Sequence, residues 1–147
     1  MHGTATISGF ERPGLSLVVP EGTDVLCEQP LVLALPAAAG VQARYVLETR
    51  SADAALDSWL SEQMASQLRL LELPLLLSQE RCEVFGNDGW RTLLHHAVEG
   101  RAVTVVQWWT VVDGCGVIAS ASCWTPQFDL LADTFRDIQE RVRFDDE

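Results

Sequence analysis

Apolar and polar residues alternate through three consecutive runs, Trp90–Val98, Arg101–Val112 and Cys115–Trp124, separated only by Glu99-Gly100 and Asp113-Gly114. Alternation is the signature of a strand, and an acidic residue followed by glycine supplies the positive backbone angles of a two-residue hairpin turn. The three runs therefore read as an antiparallel meander. Upstream, Leu15–Val19 alternates as a short strand that ends at the turn Pro20-Glu21-Gly22. Leu31–Leu35 and Val41–Thr49 form a second hairpin around Pro36-Ala37-Ala38-Ala39-Gly40. Leu56, Leu60, Met64, Leu68 and Leu71 then recur near helical period, with Ser51 placed as an N-cap and Asp53 in the first turn. A helix over 52–71 follows, broken by Pro74. Leu75–Phe85 returns as a strand, and Gly86-Asn87-Asp88-Gly89 turns it into the meander. Finally, Thr125-Pro126 starts a helix over 126–143, whose stripe is Phe128, Leu131, Phe135, Ile138 and Val142. Thr125 serves there as the cap, and Arg141 and Arg143 suit the negative end of the helix dipole.

Seven strands and two helices, with tight turns dominating, predict an α+β fold: an antiparallel β-sheet with helices packed on it. The length of 147 residues fits one domain over 1–147, long enough to bury a core.

The two turns fix the register of the meander. Asp113-Gly114 sets Val112 opposite Cys115, and hence Thr104 opposite Cys123; Glu99-Gly100 sets Val98 opposite Arg101, and hence Trp90 opposite Trp109. One face then carries Trp90, His96, Gln107, Trp109, Ser120 and Trp124, and the other carries His95, Thr104, Trp108 and the small row Ala119-Ala121-Cys123. Neither face is polar enough to lie open to water, so helices, a partner or a ligand must cover both. The small row suits close packing of a helix. The aromatic face admits two readings: cross-strand pairs that stabilise the sheet, or a groove for a peptide or apolar ligand. The candidate partner-binding residues are accordingly Trp90, His96, Gln107, Trp109 and Ser120.

Charge removes several classes of function. There are 21 acidic residues against 10 basic ones, for a net charge of −11, and every basic residue is arginine. A chain without lysine has no Schiff-base lysine and no Walker-type phosphate lysine. So acidic a chain lacks the cationic footprint that nucleic acid or an anionic membrane requires. The excess charge serves solubility, with an acidic surface for a basic partner as the alternative. The N-terminus shows no signal-peptide pattern, and the most apolar window, Leu68–Leu77, is interrupted by Arg69, Glu72 and Pro74, far short of the ~20 residues of a membrane-spanning helix. Cys27, Cys82, Cys115 and Cys123 have no C-x-x-C spacing; Cys115 and Cys123 would lie on one strand, about 27 Å apart, beyond bonding reach. Free thiols and a cytoplasmic location are expected.

The candidate chemistry is thin. Gly114-Cys115-Gly116-Val117-Ile118-Ala119 matches G-x-G-x-x-A, but the dinucleotide fingerprint needs a helix next, and a strand follows. His95 and His96 are adjacent on a strand and point to opposite faces, so they cannot hold one metal ion. His95, Thr104 and Cys123 share a row, yet the thiol lies two strands from the imidazole, roughly 9–10 Å away between backbones. Ser120 and Ser122 lack the glycines of a nucleophile elbow. No catalytic set emerges, no cofactor or metal is called for, and the chain is not expected to be an enzyme.

A resemblance does emerge from Gly89-Trp90, Glu99-Gly100-Arg101, Val103–Gln107, Asp113-Gly114, Gly116–Ala121 and the closing helix with Phe128, Leu131, Phe135 and Ile138. This layout resembles the C-terminal half of the PsbP-like superfamily, in particular its bacterial DcrB and LpqN-type branches. It extends to Leu17–Gly22, where the family often follows the glycine with tryptophan and this chain has Thr23. The resemblance implies an αβα sandwich and a binder rather than a catalyst. The family includes photosystem II extrinsic subunits, an import factor that binds the Ran GTPase, and secretion chaperones. The expected function is therefore a cytoplasmic adaptor or chaperone-like domain for a protein or peptide partner, with homodimerisation possible in principle. The alternative is a carrier of a small apolar ligand held between sheet and helix; a closed cavity favours the carrier, an open groove the adaptor.

Overall fold

The computed structural model describes residues 4–11, 14–28, 30–35 and 43–144. In chain order the elements are β1 (Thr4–Glu11), β2 (Gly14–Pro20), β3 (Asp24–Glu28), β4 (Leu31–Ala34), β5 (Ala43–Ser51), α1 (Leu56–Leu70), β6 (Glu72–Val84), β7 (Asn87–Val98), β8 (Arg101–Val112), β9 (Cys115–Trp124), α2 (Phe128–Glu140) and β10 (Arg143–Phe144). A seven-stranded antiparallel sheet runs β3-β4-β5-β9-β8-β7-β6, and a three-stranded one runs β1-β2-β10.

The meander has the register its turns dictate: Trp90 faces Trp109, Thr104 faces Cys123, and Val112 faces Cys115. Three hairpins use the same two-residue device. Glu99-Gly100 and Asp113-Gly114 are joined by Phe85-Gly86, and in each pair both residues have positive φ, at 51° and 78°, 51° and 73°, and 53° and 84°. These are the angles that match the right-handed twist of the flanking strands.

Several boundaries differ from the sequence expectation. The turn into β7 is Phe85-Gly86, because Val84 already pairs with Asn87, and Asn87-Asp88-Gly89 belongs to the strand. Ser51 does not cap α1; it ends β5 opposite Cys115, and the helix starts after Ala55 with no side-chain cap. The helix stops at Leu70, as Pro74 requires, but the chain turns extended at once and β6 begins at Glu72. Pro74 then sits on an edge strand, inside an irregularity between Glu72 and Leu75, where a missing N–H does no harm. Thr125 does not cap α2 either: Thr125–Gln127 form a 3₁₀ turn, and the Thr125 hydroxyl accepts from Thr104 at 2.9 Å. The helix ends at Glu140 with Arg141 as its C-cap, and Arg143 follows shortly beyond it in β10. The strand at Leu15–Val19 belongs to the small sheet, and β3 takes its place in the large one. The turn expected at Pro36–Gly40, with Val41, lies outside the described residues.

The two faces of the large sheet are covered differently. On one, Trp59, Leu60 and Met64 of α1 pack on Leu94, Trp109 and Ile118. On the other, Leu131, Phe135 and Ile138 of α2, with Leu17 and Val19 of β2, pack on Ala119, Ala121 and Cys123. The expected small row does admit a helix.

Candidate functional site

The aromatic face is the natural place to begin, and α1 seals its centre. Trp109 is 1% exposed and meets Trp59 edge-on, with ring centroids 5.9 Å apart and planes at 72°. Its indole N–H donates to Thr92 Oγ1 at 2.9 Å. Trp59 can lie flat against β9 because position 116 is glycine: a Cβ there would collide with the Trp59 ring. Gln107 is 4% exposed and bound to the helix by a reciprocal amide pair. Gln67 Nε2 donates to Gln107 Oε1 at 2.7 Å, and Gln107 Nε2 donates back to Gln67 Oε1 at 2.9 Å and to Ser120 Oγ at 3.0 Å. Gln107 and Trp109 are core residues, and this corrects their assignment to a partner surface. Their polarity is satisfied by the helix, not offered to solvent.

The other three candidates of that face do not form one site. Trp90 is half-buried at one end, its indole N–H donating to Asp57 Oδ1 at 2.8 Å, with the Arg81 guanidinium 5.4 Å over its ring. His96 lies at the opposite end, in the row of Val103 and Trp124, where Arg101 stacks 4.1 Å over Trp124. Ser120 is the acceptor beneath Gln107.

The remaining chemical candidates are equally quiet. Gly114–Ala119 forms the turn and first half of β9, so no helix N-terminus follows it. Thr104 stands between His95 and Cys123, and burial pushes the Cys123 thiol up to about 11, so no thiolate exists there near neutral pH. No group of three or more histidine, cysteine or acidic side chains among the described residues is arranged to hold a metal. No helix among them is long and apolar enough to cross a membrane.

The concave site lies on the opposite face. A cleft of about 580 Å³ opens between α2 and the edge of the sheet formed by β6, β7 and β8. Val106, Trp108 and Phe85 contribute from the sheet side, and Phe128, Ala132 and Phe135 from the helix. Glu83, Gly86, Arg136 and Glu140 line it as well and are exposed, so the cleft communicates with solvent. Cys82 and Arg91, both half-buried, complete this side of the sheet.

Phe85 marks the cleft in another way. Its φ of 53° is a left-handed conformation that a bulky side chain seldom adopts, and a residue held there costs about 1–3 kcal/mol relative to a relaxed one. The ring is buried in the same apolar cluster as Trp108 and Phe135, and that packing holds the backbone in place. Glu99 and Asp113 adopt the same conformation at the other two hairpins, so at Phe85 it is the turn that sets the backbone and the packing that selects the residue. Sequence reasoning missed the cleft because its residues come from four separate elements.

No family model matches the chain, and no curated protein matches it in sequence. Solved structures do match. LpqN of Mycobacterium tuberculosis, described as involved in cell envelope biogenesis, superposes with a TM-score of 0.71 at 16% identity, covering 97% of this chain and 92% of that one. The Ran-binding protein Mog1p of Saccharomyces cerevisiae gives 0.64 at 10% identity, covering 98% and 96%. The cyanobacterial PsbP of Synechocystis gives 0.63 at 11% identity, covering 99% and 94%. At such identities the likeness is one of architecture. The chain has the PsbP-like fold.

Proposed function

We propose that this protein is a non-enzymatic binding domain, an adaptor or chaperone-like factor that receives a segment of a protein partner in the cleft between α2 and β6–β8. The observation that carries the reading is the cleft itself: solvent-connected, with Trp108 and Phe85 at its base and charged residues at its rim. Aromatic side chains in a concavity with a polar rim are the composition of an interface centre. An opening to solvent favours an adaptor over a carrier. One architectural neighbour is itself named for binding another protein. We place the protein in the cytoplasm, on the expectation from its reduced, widely spaced cysteines.

The volume of about 580 Å³ also lies within the roughly 300–1,000 Å³ of small-molecule pockets, which sustains a second reading as carrier of a small apolar ligand. One experiment separates them. Ala132 is half-buried in the helical wall and faces the cleft, and arginine is nearly as good a helix former as alanine. Ala132→Arg therefore fills the cleft without breaking α2. A photoreactive residue at 132 should cross-link a protein in the native host, and Ala132→Arg should abolish capture of that protein by the tagged chain while melting stays unchanged. Native mass spectrometry showing a bound small molecule, with no protein cross-linked, would replace the adaptor by the carrier.

A further inference from the structure

We infer that the cleft selects a peptide segment in which a single carboxylate stands beside a bulky apolar side chain, and that Arg91 is the residue that takes the carboxylate. This rests on the cleft being the docking site.

The chain holds ten arginines and 21 acids; among the described side chains that make no ion pair, Arg44, Arg69, Arg101 and Arg141 are exposed and Arg91 is the half-buried one. Arg50 pairs with Glu48, Arg81 with Asp57, and Arg136 with Asp133. Arg91 does not. It sits on β7 directly across from Glu80 of β6, in a protein rich in negative charge, and makes no ion pair with it or with any other carboxylate among the described residues. It is half-buried, and its neighbour across the other ladder is Trp108 of the cleft floor. A partly desolvated cation without a counter-charge is unfavourable, and the guanidinium fork matches a carboxylate in two-point geometry.

A second donor lines the same cleft. Tyr45 lies deep in the core, and burial keeps its hydroxyl protonated well beyond the ordinary range. That hydroxyl donates to Gln139 Oε1 at 3.1 Å, which leaves the Gln139 amide N–H groups as the free, donating end. Donors of this kind call for an acceptor on the ligand. The exposed Glu83 and Glu140 also line the cleft and would repel a ligand carrying several acids, so the class is one carboxylate with an apolar neighbour, not a polyanionic tract.

The test uses the full chain, amide chemical shifts, and two capped tripeptides of near-identical shape, acetyl-Phe-Asp-Leu-amide and acetyl-Phe-Asn-Leu-amide. Both should shift amides of β6–β8 and α2, the aspartate peptide binding about tenfold more tightly, as a charge-assisted bidentate bond allows. Raising the salt should shrink that ratio. Arg91→Gln should bring the aspartate peptide down to the affinity of the asparagine one, and Arg91→Lys should restore part of the difference. Equal affinity of the two peptides for the native chain, or a preference that survives Arg91→Gln, overturns the role of Arg91 and leaves the cleft reading intact. Shifts that ignore the cleft, binding that survives Ala132→Arg, or no binding of either peptide overturn both.

Discussion

Replacing Gln107 by leucine tests the most consequential correction to the sequence reading, that this face is closed. The substitution keeps the volume and removes every polar contact of the side chain: two hydrogen bonds with Gln67 at 2.7 and 2.9 Å and one to Ser120 at 3.0 Å. The cost arises less from the lost bonds than from the Gln67 amide, left between helix and sheet with only the weak contact of its Nε2 to Met64 Sδ at 3.8 Å. A buried polar group deprived of its partner costs about 1–3 kcal/mol. Gln67 is half-buried and partly rehydrates, and leucine recovers some transfer energy, so we expect about 1.5 kcal/mol. In a chain of this size that corresponds to a melting temperature lower by roughly 3–6 °C. Urea denaturation followed by tryptophan fluorescence should show a lower midpoint at unchanged slope. Gln67→Leu should cost about as much, and the double variant should be more stable than the sum of the two losses by about 1 kcal/mol or more, because neither amide is then orphaned. If Gln107→Leu leaves the midpoint untouched and the double variant is simply additive, α1 does not bridge to Gln107, and the aromatic face returns as the candidate partner surface.

Three further outcomes follow from the geometry. Gly116→Ala should destabilise by about 1–3 kcal/mol through its collision with the Trp59 ring, seen as a lower urea midpoint; an unchanged midpoint would mean that Trp59 does not rest on β9. With a thiol reagent at pH 8, exposed Cys27 should react first and buried Cys123 last, and a cleft ligand should slow Cys82 alone; rapid labelling of Cys123 in the folded state would contradict its burial. Stability should fall at alkaline pH. The folded state holds the Cys123 proton up to about 11 while an unfolded thiol releases it near 9.0, so this contribution is complete below 9.0 and is lost as the pH climbs toward 11. Tyr45 adds a loss with the same sign from its ordinary 10.0 upward, and Tyr45→Phe should flatten the urea-midpoint profile there; an identical profile would place the Tyr45 hydroxyl in solvent.

The meander was legible because two X-Gly pairs fix its register by local chemistry alone, and every cross-strand pair follows by counting. The stripe Leu131, Phe135, Ile138 and Val142 was legible for the same reason, since all four are buried at helical spacing. Less was visible where two local signals compete. Asn87-Asp88-Gly89 is stronger turn chemistry than Phe85-Gly86, yet the turn uses Phe85, because tertiary packing of its ring outweighs backbone preference. The aromatic face misled because tryptophan and glutamine spaced two apart look alike under water or under a helix. The missing signal was on α1: Trp59 and Gln67 fall on the face of Leu60 and Met64, a helix ready to meet an indole and an amide.

The cleft has a simple origin in widths. Seven strands set about 4.8 Å apart span roughly 29 Å, whereas one helix with its side chains is about 10 Å across. A single helix cannot cover such a sheet. On the α2 face the small row Ala119-Ala121-Cys123 draws the helix toward β9, and β2 lies beside it, so the cover is concentrated toward β5 and β9. The strands left at the margin are β8, β7 and β6, and the side chains they present there are Trp108, Arg91 and Cys82. On the α1 face the helix instead lies across β7, β8 and β9, with Trp59 over Trp109 and Gln67 over Gln107. Toward β5 the exposed residues of this face are ones water tolerates, Arg44 among them, while Arg50 donates to Gln63 of the helix. The same shortfall of cover thus falls on polar residues on one side and on an aromatic floor on the other. The second borders the solvent-connected cleft, whose inner wall is the nearly buried Trp108 and Phe85, and it coincides with the left-handed backbone of Phe85 and the half-buried Arg91. Either feature alone has a structural explanation; their meeting in one uncovered strip is what makes that strip, rather than the tryptophan-rich face, the place to look for a partner.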